Sequence, residues 1–159
     1  MHSARVPLVM AGPGIKTQVW DAPCSLLGLA PTLLEFAGVE PQVHLDGVSL
    51  VPTLFHSSIR QTKSIGEYCA ETALGYPVCM ILQGDRKYIH CATDPAQLYH
   101  LSSDPDELNN LAGNPEHATI KKGFANEAAE RWDDAAIRDQ VITSQQERTL
   151  VRDAVDRLS

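Results

Sequence analysis

Residues 97–112, QLYHLSSDPDELNNLA, constrain this chain more than any other stretch. Leu98-Tyr99-His100-Leu101 has the aromatic and branched content of a short, half-buried strand, and Ser102-Ser103 ends it. Asp104 then stands where a helix cap would, since its carboxylate can accept the unpaired N–H groups of a first turn. Pro105 suits position N1, because the N–H that it lacks would have no partner there. Glu107 at N3 can return a hydrogen bond to the Asp104 N–H and complete a capping box. The expectation is a strand stopped abruptly by a doubly specified helix start.

The same spacing carries a resemblance. L-Y-x-L-x-x-D-P-x-E-x-x-N-L-A resembles the segment that closes the small C-terminal subdomain of type I sulfatases, relatives of alkaline phosphatase. His100 stands where that family usually has an acidic residue. Every residue of the stretch has a structural job, so it says little about chemistry.

A chain of 159 residues suits one ordinary domain with a real core. Its hydrophobic content of 43% and charged content of 21% are those of a globular protein. A formal charge of −7 argues against nucleic acid as a partner, because gripping phosphates needs clustered Lys and Arg. Pro31 and Glu35 interrupt the best apolar run, so no membrane span is expected. No basic flank with a following apolar run marks a secretory signal. Cys24, Cys69, Cys79 and Cys91 show no zinc-site spacing. They read as buried free thiols in a reducing compartment, which points to the cytoplasm, although an even count also permits disulfides.

Along the chain, residues 6–10 (VPLVM) are apolar on both alternating faces, as a strand covered on both sides would be. Gly12-Pro13-Gly14 ends that run. H-S-A-R-V-P-L-V-M-A-G-P-G resembles the sulfatase segment in which a strand of the large catalytic sheet follows a catalytic Lys. Leu33, Leu34 and Phe36-Ala37 continue an apolar stripe begun by Leu26 and Leu29, with Gly38 placed to stop a helix. Pro31 breaks the stripe, which predicts a helix from about Thr32 after a separate turn over 22–30. L-x-P-T-L-L-E-F-A-G and Asp46-Gly47-Val48-Ser49-Leu50 resemble the family's D-x-x-P-T-x-L-x-x-A-G helix and D-G-x-S-L turn. The family's acid falls at Gly28 here. Packing and capping explain the whole stretch.

Residues 57–63 read as a polar loop, followed by strands over 64–70, 77–83, 86–91 and 97–101. Gly84-Asp85 between the second and third is the Gly-X signal of a type II′ hairpin. Asn114-Pro115-Glu116 opens a helix to about Trp132, and Asp133 caps a last helix over 134–158. Ile137, Val141, Val151, Val155 and Leu158 give that helix a stripe whose middle, Ser144 and Arg148, is polar. E-R-W-D-x-x-x-I-R-x-x-V-x-x-S-Q-x-x-R resembles the C-terminal helix region of choline sulfatases, a narrower group.

The expected fold class is α/β. The last strand and helix of a sulfatase large domain (1–56) precede a small α+β subdomain (57–133) built on a four-stranded, mainly antiparallel sheet, and a C-terminal helix (134–159) follows.

The resemblance implies a formylglycine nucleophile, made from the Cys of C-x-P-S-R or C-x-A-x-R, and a divalent cation, calcium or magnesium. None of the four Cys has Arg at the fourth position after it, and no cluster of paired acids fits the cation. No catalytic or metal residue is therefore assigned, and the chain alone is expected to be inactive, the C-terminal piece of a larger enzyme. The alternative is a truncated product or an interaction module that needs a complementing chain.

The one functional candidate is Gly66-Glu67-Tyr68-Cys69-Ala70-Glu71. On a strand, Glu67, Cys69 and Glu71 share a face and Tyr68 takes the other. A choline headgroup has no N–H to donate, so its site must offer carboxylate charge and aromatic faces. G-E-Y-x-A-E resembles choline-sulfatase sequence at the mouth of the active site. That resemblance sets Glu71 against the quaternary ammonium of a small sulfate ester, with Glu67 as second choice. Solvated strand-edge charges are the competing reading. The His residues His2, His90 and His100 show no partners in the sequence, and the stripe of the last helix is read either as packing on its own domain or as a surface for a second copy.

Overall fold

The structure, a computed structural model, describes residues 6–56, 63–69 and 76–156. The chain forms two compact units, one of Met1–Ile65 with Leu82–Arg86, the other of Gly66–Ile81 with Lys87–Ser159.

In the first unit, α1 (Leu29–Ala37) follows a 3-10 turn over Leu26–Gly28, and α2 spans Val51–His56. The expected break at Pro31 does not occur. The helix starts three residues before Thr32, so Pro31 sits in the first turn, where its missing N–H would bond nothing. Gly38 stops the helix with φ 64°, its N–H returning to the Glu35 and Leu34 carbonyls. Thr32 is fully buried, and its hydroxyl donates to the Gly28 carbonyl at 2.5 Å. The same oxygen accepts the Leu50 N–H at 2.8 Å, tying the D-G-x-S-L turn to the helix.

Residues 6–10 are not a strand. They are extended without sheet pairing, with Val6, Leu8 and Val9 exposed. A doubly covered strand needs neighbours on both edges and layers on both faces, and this unit supplies neither among its described residues.

The sheet runs in the order β1 (Lys63–Tyr68), β2 (Val78–Gln83), β3 (Arg86–His90), β4 (Gln97–His100), antiparallel throughout. Gly84 turns β2 into β3 with φ 58° while Asp85 keeps a negative φ, as a type II′ hairpin requires. In the second unit, α3 (Ala118–Arg131) and α4 (Asp134–Asp156) follow. Cys79 and Ile81, two apart on β2, and Leu98 on β4 are fully buried. Phe124, Ala128 and Trp132 recur every four residues, which puts them on one helical face. Phe124 stacks on Tyr88 of β3, ring centroids 5.6 Å apart and planes within 6°. Burial of a large apolar side chain such as Ile81, Leu98 or Phe124 stabilises the fold by about 1.5–3 kcal/mol.

Asn114 caps the 3-10 turn over Pro115–His117 that leads into α3, and Asp133 caps α4 through the Ala136 N–H at 3.0 Å. From Thr143 to Val155, α4 is exposed, including Leu150 and Val151.

No helix begins at Asp104. Residues 101–110 form turns, and the Asp104 carboxylate accepts the Leu108 and Asn109 N–H groups at 3.0 and 2.8 Å. These bonds hold the carboxyl below its ordinary range. Glu107 takes a left-handed φ of 58° instead of the helical value, and its carboxylate meets Lys87 Nζ of β3 at 2.6 and 2.7 Å. The expected capping box fails because a buried amine claims its glutamate.

Candidate functional site at the end of the first sheet strand

Glu71 lies outside the described residues. Glu67 lies near the end of β1, exposed, with one oxygen committed: the Trp132 indole Nε1 donates to its Oε1 at 2.7 Å. Trp132 is 5% exposed and sits between α3 and α4, its backbone N–H closing α3 on the Ala128 carbonyl. The His90 ring lies parallel to the indole, centroids 6.4 Å apart and planes within 4°. His90 Nε2 and Asp134 Oδ2 are 2.8 Å apart, joining the end of β3 to the first residue of α4. Arg138, one turn on, lies over the Tyr76 ring, 5.4 Å from its centroid.

His90 and His100 thus both have partners, Asp134 and Ser103, which corrects the sequence reading. The Asp134 partnership was illegible because it bridges 44 residues. Trp132 was missed for the same reason, since the carboxylate that its indole N–H meets lies 65 residues away in the sequence.

The chemistry open to this corner is limited. His90 and Asp134 form a hydrogen-bonded pair, but among the described residues no hydroxyl or thiol is bonded to that imidazole as a nucleophile would be. All four cysteines are free, yet only Cys79 is buried, and Cys24 is exposed. Burial first, then the negative charges of Glu67 and Asp134 and the neighbouring Cys69 and Cys91, push the Cys79 thiol up to about 12. Burial and Glu67 raise the Cys69 thiol as well. These thiols are protonated at neutral pH and are not activated nucleophiles. Iodoacetamide should therefore label Cys24 in the native chain and reach Cys79 only after unfolding, as peptide mass spectrometry would read. Comparable native labelling of Cys79 would contradict its burial.

Among the described residues, no three His, Cys, Asp or Glu side chains converge as a metal requires, so they offer no seat for the divalent cation implied by the resemblance. What the corner does offer is a carboxylate held from one side by a buried donor.

Sheet, flanking helices and the recurring segments define the C-terminal subdomain of a sulfatase. The chain belongs to the family described as N-sulphoglucosamine sulphohydrolase, C-terminal, whose model matches residues 1–133. It is 41% identical over 161 residues to a choline-sulfatase of Rhizobium meliloti (strain 1021), a match covering 96% of this chain and 31% of that one. A sulfatase structure from Bacteroides thetaiotaomicron VPI-5482 superposes on 78% of the chain and 29% of its own length, with TM-score 0.64 and 30% identity. A phosphonate monoester hydrolase of Agrobacterium radiobacter matches 72% of the chain and 24% of its own, with TM-score 0.55 and 28% identity. The chain thus spans under a third of the length of each of these relatives. No helix among the described residues is long and apolar enough to cross a membrane.

Proposed function

We propose that this chain is the substrate-facing C-terminal part of a cytoplasmic sulfuric ester hydrolase that converts choline sulfate to choline and sulfate. The observation that carries the reading is the likeness to a choline-sulfatase across 96% of the chain. The formylglycine nucleophile and the cation, calcium or magnesium, belong to the remainder of the enzyme. This chain contributes the carboxylate of Glu71, which faces the quaternary ammonium. The exposed apolar residues of α4, Leu150, Val151 and Val155, suit a contact with a second copy. A second reading, a non-catalytic module awaiting a complementing chain, draws on the exposed Val6, Val9 and Val19. A C-x-P-S-R or C-x-A-x-R motif in frame upstream favours the first reading.

The ammonium charge does not change during S–O cleavage, so a carboxylate beside it binds ground and transition states alike and acts mainly on KM. In the enzyme that carries this segment, Glu71→Gln should lower kcat/KM for choline sulfate about ten- to a hundredfold relative to an aryl sulfate without a cationic group. Equal losses on both substrates would give Glu71 a structural role and remove the choline assignment.

A further inference from the structure

The reading above leaves Glu67 as a bystander, whereas its surroundings give it a fixed orientation. An exposed glutamate on a strand ordinarily samples several rotamers, and ordering it costs side-chain entropy. Here the Trp132 indole N–H holds Oε1 at 2.7 Å, and the indole is itself immobilised by burial and by the parallel His90 ring. His90 is fixed in turn by Asp134 at 2.8 Å. The result is a carboxylate whose first oxygen is spoken for and whose second carries charge in a set direction. Such pre-orientation lowers the cost of meeting a cation that offers no hydrogen bond to align the partner.

We infer that Trp132 is a positioning residue for the cationic half of the substrate, acting through Glu67: its indole N–H fixes the carboxylate so that Oε2 presents charge to a quaternary ammonium. The role rests on the choline-sulfate reading and deepens it.

The test is kinetic, in the enzyme that carries this segment, with choline sulfate and 4-nitrophenyl sulfate, which carries no cationic group, as paired substrates. Trp132→Phe keeps an aromatic ring against His90 and removes the donor. Glu67→Gln keeps an acceptor for the indole and removes the charge. Each should lower the ratio of kcat/KM for choline sulfate over that for the aryl ester by about three- to tenfold, through KM. The double variant should be no worse than Glu67→Gln, because Trp132 acts only through that carboxylate. A Trp132→Phe enzyme that loses both activities in parallel would reduce Trp132 to a packing residue. A selective Glu67→Gln with a silent Trp132→Phe would leave charge without positioning, and also overturn the proposal. A parent enzyme that does not turn over choline sulfate overturns the choline reading itself, and this role with it. A parent that does, with Glu71→Gln selective and both other variants silent, overturns this role alone.

Discussion

Replacing Glu107 with alanine should destabilise the fold by about 3–5 kcal/mol, read as a lower urea midpoint at unchanged slope. Lys87 is only 3% exposed, and both Glu107 oxygens meet its ammonium at 2.6 and 2.7 Å. Removing the carboxylate leaves that ammonium facing no charge in a place water does not reach. The paired change Lys87→Met with Glu107→Leu should recover most of the loss, because it leaves nothing charged behind. A full loss in the double variant would assign the effect to packing. The pair also sets an acid limit. Burial alone would raise the Glu107 carboxyl, but the hydrogen bonds and charge of Lys87 lead the groups that pull it below its ordinary value. A carboxyl lowered in the folded state adds stability above its unfolded pKa and loses it as pH falls through the folded one. The midpoint should therefore hold from neutrality to about pH 5 and decline below the ordinary glutamate value, near about 4.3. The decline should be shallower in Glu107→Gln, which has no proton to gain.

Gly47→Ala should be nearly as severe, at about 3 kcal/mol or more, and confined to the first unit. A Cβ at Gly47 would sit 1.9 Å from the Leu27 carbonyl oxygen and 2.8 Å from the Gly28 nitrogen, both backbone atoms. No rotamer can relieve that overlap; the turn must leave the helix start. The Leu50 N–H, which donates to Thr32 across the same junction, should then lose its protection from amide exchange. Gly38→Ala is the control for conformation without crowding. Its φ is 64° but nothing lies within 4 Å, so about 1 kcal/mol is expected. Equal protection of Leu50 in wild type and Gly47→Ala would show that the close approach is not needed.

These two variants also mark where the sequence could and could not be read. The sheet and the start of α3 were legible because alternation, a Gly-X turn and Asn114-Pro115 are all local signals, each complete within a few residues. Asp104 and Glu107 gave an equally local signal and it misled. Capping boxes are judged within four residues, whereas the Lys87 that takes Glu107 lies 20 residues away on a strand. Pro31 misled for a different reason. Its effect depends on where the helix begins, and the 3-10 turn over Leu26–Gly28 moved that start upstream. At the candidate site, Glu67 was legible as a strand-face acid. Its indole partner, 65 residues downstream, was not, because hydrogen-bond partners between side chains leave no periodicity.

The separation along the chain has a consequence for the order of folding. Strands β1 to β4 lie beside their sequence neighbours only, so the sheet can zip hairpin by hairpin through short loop closures, which are quick. The ties at its acidic corner instead span 65 residues from Glu67 to Trp132 and 44 from His90 to Asp134. In a chain synthesised from its N-terminus, β1 exists well before the tryptophan that will hold its glutamate. The strand is therefore built early, and its carboxylate acquires a direction only when the junction of α3 and α4 arrives to dock.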